Sequence, residues 1–282
     1  MNNFSARCIL FTPANRPERF EKAKLTGADG IVIDLEDAIT LAEKDSAREI
    51  AINYFKDNTS IPKDPFLRCL RINSVKTRAG FKDLVMLCET GVRPDIIILP
   101  KTESAEEINI LNQQLAPNLI SIIALIETSK GLSHSEHIAK AQNVCGIVFG
   151  GADLAADLGA TMDWEPMYAS RAQIVRAAAI AGIAAIDVPY LGLHDLDDSA
   201  LVNETKRVKS MGFTSKFAIH PKHIKPILDV FTPSAEEVEK AKKLVSVFSN
   251  AHGNACEVDG KMVDIPVFRS AQRILKLAKI SI

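Results

Sequence analysis

The sequence predicts an α/β fold: a (β/α)8 TIM barrel with a C-terminal helical extension. Three observations carry this. Eight short apolar runs rich in Val and Ile recur along the chain, each followed by a longer amphipathic stretch. The turn after the first run, PANRPERF, lacks the Gly-rich phosphate loop of a doubly wound sheet. About 60 residues follow the eighth run, more than an eightfold barrel needs.

The runs are CILFTPA (8–14), GIVIDLED (30–37), FLRCLRIN (66–73) and DIIILPKT (95–102), then LISIIALIET (119–128), VCGIVFGGADL (144–154), AAIDVPYL (184–191) and KFAIHP (216–221). Their apolar cores of four to eight residues suit strands and are too short for ordinary helices. A first helix over 17–26 opens on Pro17 and stops at Gly27, a residue pair that favours those two ends. A second over 43–56 groups Ile50, Tyr54 and Phe55 with Ile52 flanking, and a third over 79–90 groups Phe81, Leu84, Val85 and Cys88 before Gly91. Segments 168–181, 197–211 and 234–249 also carry helical spacing; a hairpin is expected at Asp259-Gly260 and a last helix over about 266–278. The barrel is therefore placed at 1–230 and the extension at 231–282.

Composition narrows the function classes. With 282 residues, 47% hydrophobic and 24% charged, the chain is an ordinary globular protein and not a disordered one. Lys plus Arg total 34 against 35 for Asp plus Glu, and this balance argues against nucleic-acid binding. Cys8, Cys69, Cys88, Cys145 and Cys256 are scattered with no C-x-x-C pair, which disfavours a disulfide framework or zinc site; four lie in or beside apolar runs, as buried free thiols do. The start, MNNFSARCILF, does not read as a signal peptide, and no apolar stretch approaches the ~18 residues of a membrane span. A cytoplasmic, reduced, membrane-free protein is expected.

In such a barrel, chemistry sits at the C-terminal ends of the strands. Read in order, those ends are Asn15-Arg16, Asp34/Glu36/Asp37, Arg71/Asn73, Lys101, Glu127, Asp153, Asp187 and His220. Glu127 and Asp153 end adjacent strands and together offer the hard oxygens that Mg²⁺ takes; the alternative is a helix cap by Asp153 and a salt bridge by Glu127. Gly150-Gly151 is expected to let a ligand approach the backbone. Arg71 is either an ion-pair partner of the Asp34/Glu36/Asp37 cluster or a fixed cation for a carbonyl or carboxylate, and the two roles are compatible. Lys101 as a Schiff-base lysine needs a depressed pKa, which neighbouring carboxylates oppose. Asp187 is a candidate for positioning substrate. His134 and His137 read as a surface pair, and Trp164 as a cap on the rim loop after the sixth strand.

Eight ordered motifs span most of the chain: FTPANRPERFEKA, IVIDLEDA, RIN, LPKTES, LIET, GGADL, IHP and DGKMVDIP. On these the sequence resembles the citrate lyase β-subunit and malyl-CoA lyase family with the neighbouring citramalyl-CoA lyases. The resemblance implies a Mg²⁺-dependent carbon–carbon lyase acting on a 3-hydroxyacyl-CoA thioester and releasing acetyl-CoA and an oxo acid. It implies Glu127 and Asp153 as metal ligands, Arg71 at the substrate thioester and carboxylate, and Glu36 and Asp37 as a supporting acidic pair. It implies Asp264, in DGKMVDIP, as an acid/base reaching a neighbouring subunit's site, and hence a homo-oligomer, often a trimer. Asn15, Arg16 and Arg19 are candidates for the CoA phosphates. Ala152 stands where the citrate lyase β-subunit usually has an acidic residue, and the seventh strand continues AIDVPYLG where many relatives differ; both depart from citryl thioesters towards the citramalyl and malyl types. Two other functions stay open: a citrate lyase β-subunit working on an acyl-carrier partner, and a metal-dependent class II aldolase of free oxo acids.

Overall fold

The computed structural model describes residues 4–58, 65–250 and 254–278. Its strands are β1 (Cys8–Pro13), β2 (Gly30–Asp34), β3 (Leu67–Arg71), β4 (Ile96–Leu99), β5 (Ser121–Ile126), β6 (Val144–Phe149), β7 (Ala184–Asp187) and β8 (Ser215–Ala218). All pair in parallel in sequence order, and β8 returns to β1, closing the barrel. Helices α1 (Phe20–Leu25), α2 (Lys44–Asp57), α3 (Arg78–Thr90), α4 (Ala105–Leu115), α5 (Ser129–Ser133), α6 (Ser135–Ala139), α7 (Gly151–Leu158), α8 (Trp164–Ala181), α9 (Ser199–Met211) and α10 (Ile224–Phe231) join and follow them. The expected (β/α)8 TIM barrel is the fold. No helix among the described residues is long and apolar enough to cross a membrane.

Strand alternation sorts the side chains. Ile9, Val32, Cys69, Ile98, Ile123, Leu125, Ile186 and Phe217 fill the barrel interior. Side chains two residues apart share a face, so the step from Val32, Cys69 and Leu125 brings Asp34, Arg71 and Glu127 to the mouth on that same inward face. Asp34 and Arg71 are also register partners across β2 and β3. At β6 a register shift between Ile122 and Ile123 of the partner strand inserts one extra residue, after which Val148 points inward again.

The opposite parity explains Asp187, which does not face the mouth. It neighbours inward-facing Ile186, so its side chain points out of the barrel and is fully buried. There Asp187 Oδ2 accepts from Lys216 Nζ at 2.5 Å and Oδ1 from Arg171 Nε at 3.2 Å. Lys216 also donates to Glu204 at 2.8 Å, and the Arg171 guanidinium lies over Phe149 and Trp164. Trp164 thus opens α8 between the cations Arg171 and Arg207.

Helix α3 presents a different face from the one that the apolar pattern predicts, whereas α2 buries the expected Tyr54 and Phe55. In α3, Phe81 is 64% exposed and Cys88 is exposed, whereas Asp83, Leu84, Met86 and Leu87 are buried. In α2 the buried set is Lys44, Ala47, Arg48, Ala51, Tyr54 and Phe55, with Ile50 at its edge. An ion pair joins the inner faces: Arg48 Nε donates to Asp83 Oδ1 at 2.5 Å, so each helix turns a charged residue inward, and α3 turns Phe81 outward. Cys8, Cys69 and Cys145 are buried, while Cys256 is half-buried.

The chain divides into two compact units, Met1–Leu228 and Asp229–Ile282. In the second, α11 (Ala235–Asn250), a hairpin of β9 (Cys256–Val258) and β10 (Lys261–Val263), and α12 (Ile265–Leu277) surround small cores around Ala241, Ala271 and Leu275 and around Phe248, Val258 and Val263. The hairpin turns at Asp259 and Gly260, both at positive φ (49 and 73), the primed-turn geometry that an Asp-Gly pair suits.

Candidate active site

The mouth is built around Arg71. Its Nε and Nη2 clamp Asp34 Oδ1 and Oδ2 at 2.6 and 2.7 Å, and Nη1 reaches Glu36 Oε2 at 2.8 Å and Asp37 Oδ2 at 3.2 Å. The guanidinium also lies 5.0 Å from the Phe11 ring centre. Burial opposes its charge, but Asp34, Glu36 and Asp37 outweigh burial and raise its pKa, so it is a permanent cation. The β2–α2 turn that carries these carboxylates is itself pinned. Lys44 Nζ donates to the carbonyls of Leu35 and Glu36 at 2.7 and 2.6 Å, and Asn73 Nδ2 donates to the Leu35 carbonyl at 3.0 Å.

Glu36 and Asp37 are shifted in opposite directions. Burial pushes the Glu36 carboxyl up against the pull of Arg71 and Lys101. Asp37 is held below its usual range, because the hydrogen bond from Glu36 and the charges of Arg71 and Lys101 outweigh its burial. Lys101 follows β4 in the left-handed region at φ 50, a conformation that costs a residue with a Cβ roughly 1–2 kcal/mol. Its N–H donates to Glu127 Oε1 at 2.7 Å, and its ammonium lies 2.5 Å from Glu36 Oε1 and 3.6 Å from both Asp37 Oδ1 and Asp153 Oδ2. Burial lowers the Lys101 pKa less than Glu36, Asp37 and Glu127 raise it. That leaves an ammonium, not the neutral amine of a Schiff-base lysine.

Glu127 ends β5 and is pushed up to about 8, first by burial, then by the charge of Glu36, with Asp153 adding to it. Asp153 sits in the first turn of α7, its side chain 47% exposed. The two carboxylates face a chamber of about 180 Å³, walled also by Arg71, Asp37, Phe11 and the apolar Leu125, Ala152 and Val188. Gly150 lines it too, but the room it leaves is taken by protein: an added Cβ would lie 2.5 Å from the Glu127 Cβ. The glycine therefore lets the end of β6 pack against Glu127, where the sequence suggested close approach of a ligand. Among the described residues no three His, Cys, Asp or Glu side chains converge to hold a metal by themselves. A pair of carboxylates with room beside it suits Mg²⁺, which takes one or two and completes its octahedron with water and substrate oxygens. Glu127, poorly accommodated as an anion, is the buried group that a cation there would satisfy.

Phe11, Asp37, Arg71 and Ile219 also line a second cavity, of about 800 Å³, whose wall includes Arg19, Lys22 and His220. A small acidic chamber thus adjoins a larger cavity with basic residues on its wall.

The family model for HpcH/HpaI aldolase/citrate lyase matches residues 7–221. The chain belongs to this family. Human mitochondrial citramalyl-CoA lyase is 30% identical over 295 residues, covering 96% of this chain and 85% of that protein. The crystal structure of RipC from Yersinia pestis is 42% identical with a TM-score of 0.72, covering 83% of this chain and 98% of its own. That of CitE from Mycobacterium tuberculosis, in complex with magnesium, acetoacetate and coenzyme A, is 32% identical with a TM-score of 0.80 over 98% of each chain.

Within this member of the HpcH/HpaI family, five of the residues singled out in the sequence converge: Glu36, Asp37, Arg71, Glu127 and Asp153. Asn15 and Arg16 are not on the wall of the large cavity. Asn15 donates to Glu43 at 3.1 Å, and Arg16 precedes a short 3-10 turn over Pro17–Arg19. Asp264 belongs to the second unit, where its Oδ1 accepts from the Val267 N–H at 3.2 Å and caps α12. Sequence reasoning assigned Asp34 no more than an ion pair, though it is the bidentate partner of Arg71. It shares the parity of Val32, and that signal was available. Lys44 and Lys22 carry no comparable signal, since each is one of two lysines on its helix.

Proposed function

We propose that this chain is a Mg²⁺-dependent carbon–carbon lyase that cleaves a 3-hydroxyacyl-CoA thioester of the citramalyl or malyl type to acetyl-CoA and an oxo acid. The observation that carries the reading is one chamber faced by Glu127, Asp153 and Arg71 and adjoining a cavity large enough for a pantetheine arm. The likeness to citramalyl-CoA lyase supports it.

Glu127 and Asp153 are the residues that would hold Mg²⁺, which when bound supplies Lewis-acid stabilisation to the oxygen on the carbon being cleaved. Arg71, fixed by Asp34, directs its guanidinium to the thioester oxygen and stabilises the enolate that forms as the C2–C3 bond breaks. Asp264, as acid/base, takes the 3-hydroxyl proton as the C2–C3 bond breaks and returns it to C2 of the enolate. Its Oδ1 is occupied by the Val267 N–H, which leaves Oδ2 for the transfer. Exposed Met262 (68%) and Ile265 (50%) flank it, as suits a segment that enters the site of a neighbouring copy in a homotrimer. Arg19, Lys22 and His220 face the CoA phosphates, with Asn15 and Arg16 at the adjacent turn. Ala152 and Val188 present methyl groups to the small chamber, and this wall suits a methyl or hydrogen on the acyl unit. The free thiols accord with a cytoplasmic setting.

The test is a panel of citramalyl-, malyl- and citryl-CoA with Mg²⁺, read as acetyl-CoA release. Turnover of the first or second is expected. Activity only on a thioester carried by an acyl-carrier protein would make the chain a citrate lyase β-subunit instead, and cleavage of free hydroxy acids alone would make it a class II aldolase. Asp264→Asn is expected to lower kcat on the order of 10²-fold or more, the usual worth of a positioned acid, with Mg²⁺ affinity unchanged. Wild-type turnover in that variant would remove Asp264 from the mechanism.

A further inference from the structure

We propose that the Lys101 ammonium is the resident counter-cation of the acidic cluster at the barrel mouth, and that a divalent metal must displace it from Asp153 to bind. The inference rests on the reading of Glu127 and Asp153 as the metal's ligands. Lys101 touches both. Its main-chain N–H holds Glu127 Oε1 at 2.7 Å, and its ammonium stands 3.6 Å from Asp153 Oδ2 while bonded to Glu36 Oε1 at 2.5 Å. The turn at φ 50 after β4 brings both groups of one residue into the cluster.

Two cationic side chains serve the carboxylates here: Arg71 pairs with Asp34, Glu36 and Asp37, and Lys101 pairs with Glu36, Asp37 and Asp153 while its charge also reaches Glu127. Arg71 is locked by its two bonds to Asp34 and is 11% exposed. Lys101 is 39% exposed, at the end of a flexible four-carbon stem. Of the two, Lys101 is the cation free to move. Mg²⁺ needs its carboxylate oxygens at about 2.0–2.1 Å and has no use for an ammonium nearby, since like charges repel at that range. In the metal-free protein Lys101 holds the carboxylates together; with the metal in place the ammonium withdraws towards Glu36 and solvent, while its N–H keeps Glu127 in position.

Two measurements test this. Calorimetric titration of Mg²⁺ into wild type and Lys101→Met is expected to show about tenfold tighter binding or better in the variant, because a competing unit charge is gone. On wild-type protein, acetylation of Lys101 by an amine-reactive ester, followed by peptide mass spectrometry, is expected to rise several-fold when Mg²⁺ is added. Equal or weaker binding by Lys101→Met, with wild type binding normally, overturns the proposal and leaves the metal assignment standing. If the variant does not fold, unchanged labelling of wild type at saturating Mg²⁺ overturns it equally. Failure of both proteins to bind Mg²⁺ overturns the metal assignment and this inference together.

Discussion

Glu127→Gln is expected to lower kcat/KM on the order of a thousand-fold and to abolish measurable Mg²⁺ binding, while leaving the protein folded. A metal's stabilisation of transition-state charge is worth several kcal/mol, which sets the scale. The substitution keeps the oxygen that accepts the Lys101 N–H and removes only the charge. The same variant carries a second signature, in stability. Folded, metal-free Glu127 titrates at about 8 against an ordinary value of 4.5, so between these values the folded state holds a proton that the unfolded state has released. Its contribution to stability is complete below about 4.5 and is lost as pH rises through about 8, on the order of a few kcal/mol in all. Glutamine stays neutral throughout. In metal-free solution Glu127→Gln should therefore match wild type in Tm near pH 5 and exceed it near pH 9, with added Mg²⁺ closing the gap only from the wild-type side. A thermal shift series over pH with and without Mg²⁺ measures this, and a variant less stable than wild type at pH 9 contradicts the assignment of the shift to Glu127.

Arg71→Lys carries the other large effect. The charge is kept, but a lysine cannot grip both oxygens of Asp34 and point a further N–H at the chamber. A loss of kcat/KM on the order of 10³ is expected, within the range for removing an aligned charge from a developing oxyanion. Asp34 is only 2% exposed, so losing one of its two charge-assisted bonds adds a stability cost of roughly 1.5–3 kcal/mol. The double variant Arg71→Met/Asp34→Asn separates the two effects, because neutralising both partners should recover most of the Tm and none of the activity. Recovery of turnover in that protein shows that Arg71 serves the fold alone.

The barrel was readable because each of its strands is a distinct apolar run, and every predicted run overlaps an observed strand. Helix faces were less so. The outward turn of Phe81 accompanies the inward ion pair of Arg48 and Asp83, a contact between residues far apart in sequence, which a count of apolar positions cannot register. At the mouth, Asp34, Arg71 and Glu127 were legible as polar ends of apolar strands, and parity alone separates them from Asp187. What lay beyond reach was each contact made by a turn. Lys101 adopts a left-handed backbone without being Gly or Asn, and the Asn15 amide spends itself on Glu43; neither choice has a signature in composition or period.

The outward group of Asp187, Lys216, Glu204 and Arg171 has a bearing on how this scaffold changes over time. It fastens β7 and β8 to their helices from behind, and Lys216 ties it to the Val188 carbonyl at the chamber wall. Substitutions at the rim are thus expected to change what a ligand meets, and substitutions in the rear girdle to loosen the staves. A laboratory library restricted to inward positions therefore leaves the salt links behind the wall in place.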